Sequence, residues 1–341
     1  MRSAISVFRS QKLSVTRRVH EMNMLSPLLA FGLLMLATAQ APAQVPIVQK
    51  FEGHTNVVRS VALSRDGKLV LTGSDDNTAI LWEAASGKNL QTFVGHNNPI
   101  WSVALSRDGK LALTGSADKT AILWEAASGK EIQTFLGHTD AVCSVALSRD
   151  GKHVLTASSD LTAVLWDAAS GKKIQTFQGG HTSWIYAVAL SGDGKYVVTG
   201  SYDRTAILWE VASGNKIQIF QGHTNQIMSA AFSGDGKQVV TGAWDNTAIL
   251  WKTATGKKLQ TFVGHTNWVW GVALSGDGKH VLTASADKTA ILWEAASGKK
   301  IQTFEGHTGP VMSVALSGDG KHVLTGSEDK TAILWKVKAA R

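Results

Sequence analysis

Residues 53–93 read GHTNVVRSVALSRDGKLVLTGSDDNTAILWEAASGKNLQTF, and this stretch recurs along the 341-residue chain with few changes. Its Gly-His pair returns with histidines at 54, 96, 138, 181, 223, 265 and 307, which are 42 or 43 positions apart. A tryptophan follows each of these histidines by 28 positions. Self-similarity at a fixed period of this length indicates a repeat architecture, in which each repeat is one supersecondary unit.

Within one repeat the pattern predicts four short strands, called a to d in chain order. They are expected at 57–64, 69–74, 78–82 and 89–93, because these runs are rich in Val, Ile, Leu, Thr and Phe and are bounded by Gly, Asp, Ser and Asn. The segments SRDGK and ASGK between them read as tight turns, with glycine where a positive φ is needed. A repeated four-stranded unit of this length is typical of a propeller blade.

The Gly-His pair, the S-x-D-x-T segment and the Leu-Trp pair together resemble the WD-repeat family over residues 46–337. This resemblance implies an all-β fold, a seven-bladed β-propeller of four-stranded antiparallel blades. The repeats are expected to begin near Gly53, Gly95, Gly137, Gly180, Gly222, Gly264 and Gly306.

The phenylalanines predict how the ring closes. Strand d carries one in six repeats, at Phe93, Phe135, Phe177, Phe220, Phe262 and Phe304. The seventh, Phe51, precedes the first repeat, whereas the chain ends soon after Trp335 without a strand d. We therefore expect residues 46–52 to complete the last blade by pairing with residues 331–337, which protects both sheet edges.

Residues 1–43 are predicted to be a secretory signal peptide, leaving one propeller over residues 44–341. A basic stretch at 1–24 is followed by a 15-residue apolar run, Leu25–Ala39, which is short for a membrane span. Small residues around Ala39 and Ala43 suit cleavage after either one. The protein is thus expected to be secreted or periplasmic. The alternative to a cleaved signal peptide is an uncleaved membrane anchor. The start codon is one of three methionines, Met1, Met22 or Met24.

The charge pattern does not favour a nucleic-acid partner. The net charge is +8, but residues 1–43 hold five basic residues and one acidic residue, which leaves 29 basic and 25 acidic residues in the repeats. Most of those lysines lie in DGK and SGK turns beside aspartates rather than on one unopposed stripe. The face that carries these turns is expected to be lysine-rich and solvated.

Every repeat offers Ser, His and Asp, the residue types of a nucleophilic triad, as in His54, Ser74 and Asp76. The family resemblance instead implies a structural network in which aspartate holds histidine, histidine meets serine, and serine meets the indole N–H of tryptophan. Seven near-identical copies argue against an active site, which needs one unusual environment. Ala243 replaces the serine of the fifth repeat. We therefore expect His223 and Trp251 to lack their bridge there, and this blade to be the least tightly held.

No enzyme motif, phosphate-binding glycine loop or metal-ligand pattern is present in the sequence, so we expect neither catalysis nor a cofactor or metal. Three further histidines, His153, His280 and His322, are one or more repeats apart and are expected to be surface residues. Cys143 is the only cysteine, which excludes an intramolecular disulfide and suits a small buried thiol.

Three positions vary sharply between otherwise similar repeats. Three residues after the histidine stand Val57, Pro99, Ala141, Trp184, Gln226, Trp268 and Pro310. Five residues after it stand Arg59, Trp101, Cys143, Tyr186, Met228, Trp270 and Met312. Just before the S-x-D aspartate stand Asp75, Ala117, Ser159, Tyr202, Trp244, Ala286 and Glu328. In a WD-repeat propeller these columns border the channel mouth, on the face bearing the d–a and b–c loops.

The aromatic residues of these columns predict a recognition surface. All five tryptophans outside the framework fall in the three columns, and most of the bulky side chains belong to blades 4 to 6. The predicted partner-binding residues are Trp101, Trp184, Tyr186, Tyr202, Met228, Trp244, Trp268 and Trp270. Such a cluster is typical of a monomeric, non-enzymatic scaffold that binds a protein or peptide. The alternative is a carbohydrate- or small-ligand-binding propeller, and an enzyme is the third. For a single aromatic residue in these columns, packing against the next blade is the other interpretation.

Overall fold

A single strand, β1 (Ile47–Glu52), precedes the first repeat in the computed structural model, which describes residues 45–338. The predicted signal peptide at 1–43 lies outside the described residues. The first repeat then forms four antiparallel strands, β2 (Val58–Leu63), β3 (Leu69–Ser74), β4 (Thr78–Glu83) and β5 (Asn89–Val94). Each observed strand end lies within one residue of its predicted position.

The remaining repeats form strands with the same order and nearly the same lengths. Blades 2 and 3 consist of β6 (Ile100–Leu105), β7 (Leu111–Ser116), β8 (Ala121–Glu125), β9 (Glu131–Phe135), β10 (Val142–Leu147), β11 (His153–Ser158), β12 (Ala163–Asp167) and β13 (Lys173–Phe177). Blades 4 and 5 consist of β14 (Ile185–Leu190), β15 (Tyr196–Ser201), β16 (Thr205–Glu210), β17 (Lys216–Gln221), β18 (Ile227–Phe232), β19 (Gln238–Ala243), β20 (Thr247–Lys252) and β21 (Lys258–Val263). Blade 6 and the last repeat consist of β22 (Val269–Leu274), β23 (His280–Ser285), β24 (Thr289–Glu294), β25 (Lys300–Glu305), β26 (Val311–Leu316), β27 (His322–Ser327) and β28 (Thr331–Lys336).

The last blade is closed by the first strand, as the phenylalanine count predicts. β1 pairs antiparallel with β28, with Phe51 opposite Ala332 and Glu52 opposite Thr331. The seventh sheet therefore has the order β1-β28-β27-β26, and the described residues form seven four-stranded sheets. No helix long and apolar enough to cross a membrane occurs within residues 45–338.

The core lies between neighbouring blades and is built on the framework phenylalanines and tryptophans. The Phe93 ring of blade 1 lies 5.5 Å from the Trp124 ring of blade 2, and both side chains are buried. At the seam, Phe51 belongs to the sheet of blade 7, yet its ring lies 5.7 Å from Trp82 of blade 1. The seam therefore contains the same contact as the other blade interfaces, and each such ring contributes a large buried apolar area.

A histidine network ties each blade together, but the bridging hydroxyl belongs to threonine, not serine. His54 places Nδ1 2.8 Å from Asp76 Oδ2 and Nε2 2.7 Å from Thr72 Oγ1. The Trp82 indole N–H donates to the same threonine oxygen at 2.9 Å. Ser74 instead donates to the carbonyl of Asn56 and accepts from the Asp76 amide, so it braces the loop rather than the histidine.

The fifth blade therefore keeps its bridge despite Ala243, and the predicted gap between His223 and Trp251 is wrong. Thr241 Oγ1 lies 2.8 Å from His223 Nε2 and accepts the Trp251 indole N–H at 2.9 Å. Ala243 removes the two hydrogen bonds by which serine braces the loop in the other six blades. One is donated to a loop carbonyl, and the other is accepted from a backbone amide. The loosening of blade 5 is therefore smaller and more local than the sequence predicts.

The turn between strands b and c places a residue other than glycine in the left-handed region in all seven blades. These residues are Asn77, Lys119, Leu161, Arg204, Asn246, Lys288 and Lys330, with φ between 68° and 75°. Asparagine tolerates this conformation better than other side chains, whereas a branched apolar residue is strained in it. Leu161 is therefore the poorest fit of the set, and its side chain is 37% exposed.

Candidate functional site

A bulge in the innermost strand of every blade directs one variable column into the central channel. In blade 1, Val58 pairs with Ser74 and Ser60 with Gly73, so Arg59 is the extra residue. The same register shift occurs in the other six blades. Because a bulge re-aims its extra side chain, seven side chains meet around one channel cavity. They are Arg59, Trp101, Cys143, Tyr186, Met228, Trp270 and Met312.

A backbone hydrogen bond brings the other two variable columns side by side at the mouth. The amide of Tyr202 donates to the carbonyl of Trp184 at 3.0 Å, and that of Trp244 donates to Gln226 at 2.9 Å. The equivalent bond is present in every blade. It ties the d–a loop to the b–c turn, so that side chains 18 residues apart in sequence become neighbours.

Seven of the eight predicted residues form one continuous run of touching rings, which we call the aromatic ladder. The run passes from blade 2 to blade 6, and its successive centroid distances lie between 4.6 and 6.3 Å. Six members follow one another in the order Trp101, Tyr186, Tyr202, Trp244, Trp268 and Trp270, and the seventh, Trp184, branches off at Tyr202. Trp244 is the junction, with Tyr202 at 5.6 Å on one side and Trp268 at 4.6 Å on the other.

The ladder faces solvent at its outer members and the channel at its inner members. Trp184 and Trp268 are 43% and 42% exposed, which is unusual for indoles of this size. Trp101, Tyr186 and Trp270 are half-buried and line the channel. The rings of adjacent blades thus contact one another, but they lie at the rim and the channel and are not buried in the core between the blades.

Two predicted residues have surroundings that the sequence does not reveal. Met228 is only 3% exposed and lines the channel wall, so it does not form part of the rim. Trp101 belongs to blade 2, two blades away from Tyr186, but their ring centroids are 6.3 Å apart. The narrowness of the channel brings them together, and spacing along the chain cannot reveal it.

The only guanidinium among the seven channel residues is neutralised by a partner in its own blade. Arg59 donates three hydrogen bonds to the Asp75 carboxylate, the shortest at 2.7 Å from Nη2. Although burial opposes the charge, these bonds and the attraction of Asp75 raise the pKa of Arg59. The ladder therefore presents apolar faces with little net charge, and Arg59 lines the same channel.

Two polar atoms beside the ladder are buried without a hydrogen-bond partner in the described part of the chain. They are the Nε1 atom of Trp244, a donor, and the Oε1 atom of Gln226, an acceptor. An unsatisfied buried group costs about 1–3 kcal/mol, so each would gain from a bound group of complementary kind. Both residues belong to the variable columns, but the sequence does not show that these two atoms lack hydrogen-bond partners.

The nucleophilic groups near the channel are protonated at neutral pH. Burial raises the pKa of the Cys143 thiol to about 12, and its sulfur lies 3.2 Å from the Ser159 hydroxyl. Burial likewise raises the pKa of the Tyr202 hydroxyl to about 12. Neither group resembles an activated nucleophile, which needs a lowered pKa or an adjacent base.

The seven histidines of the Gly-His pairs are likewise fixed by hydrogen bonds and are not accessible to a substrate. Each is buried, and each places Nδ1 against a carboxylate at 2.7–2.8 Å. Between Val45 and Lys338, no group of three or more metal-ligating side chains is close enough to hold an ion. The geometry of this face suits binding through aromatic surfaces.

A family model described as "WD domain, G-beta repeat" matches the chain in seven consecutive stretches. They cover residues 46–83, 87–125, 129–167, 171–210, 214–252, 256–294 and 298–336. Each matched stretch begins with the outer strand of one blade and ends with strand c of the next, so the match crosses every blade interface.

Among curated proteins, similarity extends over a single repeat. The chain is 45% identical over 38 residues to the ribosome biogenesis protein BOP1 homolog of Drosophila melanogaster, and equally so to that of Drosophila grimshawi. It is 54% identical over 39 residues to the vegetative incompatibility protein HET-E-1 of Podospora anserina. These stretches cover 11% of this chain and only 3–5% of the relatives' own length.

Proposed function

Because the chain belongs to the WD-repeat family, whose propellers generally serve as non-enzymatic protein-interaction scaffolds, we propose that it binds a protein or peptide over the aromatic ladder. The observation that carries the proposal is the ladder's continuity. Seven rings form one connected set, and the two outer indoles, Trp184 and Trp268, are more than 40% exposed. Aromatic residues of this kind dominate the binding energy of protein interfaces.

The chemistry of the ladder favours a neutral, apolar segment of the partner. Arg59 and Asp75 neutralise each other, and the rings of blades 4 to 6 carry no charge. The Trp244 N–H and the Gln226 oxygen are buried and unpartnered, so a peptide backbone would pair with them only after these side chains turn outward on binding. Side chains of the same segment would stack on Trp184 and Trp268, where preformed rings limit the ordering cost of binding.

A carbohydrate is the second candidate, and the stacked pair Trp244–Trp268 favours it. Their centroids are 4.6 Å apart and their planes differ by 20°, which presents a flat apolar surface. A sugar ring could lie on such a surface and hydrogen-bond to Trp244 and Gln226. The same residues would be used, so the two candidates differ in the ligand rather than in the site.

The test is a selection of displayed peptides on the protein, followed by titration of the selected peptides and by a glycan array. The variant Trp184→Ala/Trp268→Ala removes the two exposed faces without touching the buried framework. We expect selected peptides to lose affinity by tenfold or more, since truncation of an aromatic hot spot costs about 2 kcal/mol or more. The matched control Val94→Ala/Val263→Ala shortens two equally exposed side chains of outer strands, both 71% exposed.

Peptides that bind the wild type and the control but not the double variant support the proposal. A defined glycan with the same pattern, in the absence of any peptide, would replace the first candidate by the second. Ligands that bind all three proteins equally would show that the ladder is not the site. Thermal unfolding of each variant confirms that affinity is compared between folded proteins.

Export of the protein is a separate part of the proposal and rests on the sequence of residues 1–43 alone. Expression of the full chain in a secreting host, followed by N-terminal sequencing, tests it. Cleavage after Ala39 or Ala43 gives a mature protein that begins at Gln40 or Gln44. An intact N-terminus in the membrane fraction would support an anchor instead.

A further inference from the structure

The repeats also differ at the opposite mouth of the channel, in the turn that follows strand a. The residue 11 positions after the Gly-His histidine is Arg65, Arg107 or Arg149 in blades 1 to 3. In blades 4 to 7 it is Gly192, Gly234, Gly276 and Gly318. This face was expected to be a uniform, lysine-rich surface, but the substitution divides it into an arginine half and a glycine half.

The three arginines line one cavity of about 680 Å³ together with the glycines across from them. Arg149 reaches over two blades, and its Nη2 donates to the Gly234 carbonyl at 2.6 Å. A Cβ atom at Gly192 would lie 2.5 Å from the Arg149 guanidinium carbon, and one at Gly318 would lie 2.7 Å from the Arg65 carbonyl oxygen. The glycines thus provide the space into which the arginines extend.

Counted over the seven turns around this mouth, the three arginines leave an excess of positive charge. Every turn around the mouth carries one aspartate and one lysine, and in five turns the Nζ atom lies 3.6–4.0 Å from the carboxylate. The cavity is lined by three of these aspartates, Asp235, Asp277 and Asp319, and each lies 3.6–4.0 Å from the lysine of its own turn. The arginine charges are therefore the ones that no lysine–aspartate pair cancels. None of the three arginines forms an ion pair within residues 45–338. Burial and repulsion from Arg65 and Arg149, which line the same cavity, lower the pKa of Arg107.

We propose that this mouth binds a compact oxyanion with two or more negative charges, of the phosphoryl or polycarboxylate kind. A guanidinium offers a planar fork of donors that matches phosphate and carboxylate oxygens, and several forks around one space suit an ion with oxygens on more than one side. Ser275 and His280 also line the cavity and add donors on the glycine side. The site is on the face opposite the aromatic ladder, so both can be occupied together.

Titration calorimetry of pyrophosphate into the full-length protein at low salt tests the proposal. We expect one site per chain. Arg107→Gly is the informative variant, because it gives blade 2 the residue that four other blades already carry, and it should weaken binding about tenfold, the loss of one charge-assisted contact. Lys110→Gln is the matched control, since it removes one positive charge from the same turn outside the cavity and should change affinity by less than about twofold.

A second variant adds an arginine instead of removing one. A Cβ atom at Gly276 would meet nothing within 4 Å, so Gly276→Arg should fold normally and tighten pyrophosphate binding severalfold. Wild-type protein that gives no binding at millimolar pyrophosphate would overturn the proposal. So would equal weakening by Arg107→Gly and Lys110→Gln, which would indicate a general charge effect, or a Gly276→Arg variant that binds no better than the wild type.

Discussion

Nε2 of His223 lies 2.8 Å from Oγ1 of Thr241, in the one blade where alanine replaces the framework serine. The same oxygen accepts the indole N–H of Trp251. When Nδ1 carries the imidazole proton and donates it to Asp245, Nε2 is free to accept the threonine hydroxyl. One hydroxyl therefore satisfies two buried groups.

Thr241→Val should destabilise the protein strongly because it leaves both groups unpaired at almost constant volume. We expect a loss of about 2–4 kcal/mol in the free energy of unfolding. Ala243→Ser is the counterpart, and it should restore the missing loop brace and add about 0.5–1.5 kcal/mol. Urea unfolding of both variants measures the two effects. A valine variant as stable as wild type would show that the threonine is not the bridge.

Acid should weaken the histidine networks over a defined pH range. Burial alone would raise the pKa of Asp245, but hydrogen bonding and attraction from His223 and the bond from Thr247 outweigh it and lower the pKa from 3.8 to about 2. A carboxylate with a lowered pKa stabilises the fold above its unfolded pKa, and this contribution is lost as the pH falls through the folded value. Stability should therefore fall as the pH drops from about 4 to 2.

Asp245→Asn tests that assignment. The variant should be less stable than wild type at neutral pH, and the difference should shrink as the pH approaches 2, because the wild-type carboxyl is then protonated too. Urea midpoints measured across this range provide the comparison. A difference that stays constant with pH would assign the stabilisation to packing rather than to the charge.

Framework and ladder tryptophans should respond differently to truncation. Trp251 is 2% exposed, and Trp251→Ala should cost about 3–5 kcal/mol of stability. Trp268 is 42% exposed, and Trp268→Ala should cost about 1 kcal/mol or less. Thermal or urea unfolding compares them directly. Equal losses would mean that the ladder is part of the core and would remove the basis for a recognition surface.

The seam between blades 7 and 1 should be as sensitive as an internal interface. Phe51→Ala removes a ring 5.7 Å from Trp82, and Phe177→Ala removes one 5.8 Å from Trp209. Both are buried, so each should cost about 3–5 kcal/mol. A Phe51 variant with an unchanged melting temperature would contradict closure by β1, whereas the Phe177 variant reports the cost at an interface without chain ends.

Leu161 offers a stabilising substitution. Its φ of 69° strains a leucine, whereas Asn77 and Asn246 hold the same place in their turns without that strain. Leu161→Asn should raise the free energy of unfolding by about 0.5–1 kcal/mol. Leu136→Asn, at a residue that is 67% exposed and does not have a positive φ, is the control and should be close to neutral. A Leu161 variant less stable than wild type would show that its contacts outweigh the strain.

The fold follows from the sequence because period, turns and strand composition all agree. The closure was predictable for the same reason, since Phe51 is the one framework phenylalanine ahead of the first repeat. The hydroxyl that bridges the histidine and the tryptophan was not predictable. Thr72 and Ser74 are two residues apart on one strand and face the same side, so a pattern that contains both cannot tell which one meets the histidine.

The site was predictable only in outline. Differences between repeats identify the three columns, and the hydrogen bond between loop and turn explains why the columns meet. The burial of Met228 and the contact between Trp101 and Tyr186 depend on the bulge and on the channel width, which no spacing encodes. The sequence did not predict the arginine half of the opposite mouth, because the turns after strand a are identical in the seven repeats apart from one residue.

The first and last strands of the described residues, β1 and β28, pair in the seventh sheet, where Ile47 lies opposite Trp335. In the other blades the equivalent strands are joined by a short turn, such as the residues between Glu83 and Asn89. A linker of similar length could therefore join residue 338 to residue 45, and new termini could be opened in any other d–a loop. Permutants opened at each of the seven d–a loops would then have the same fold, although their chains would begin and end in different blades.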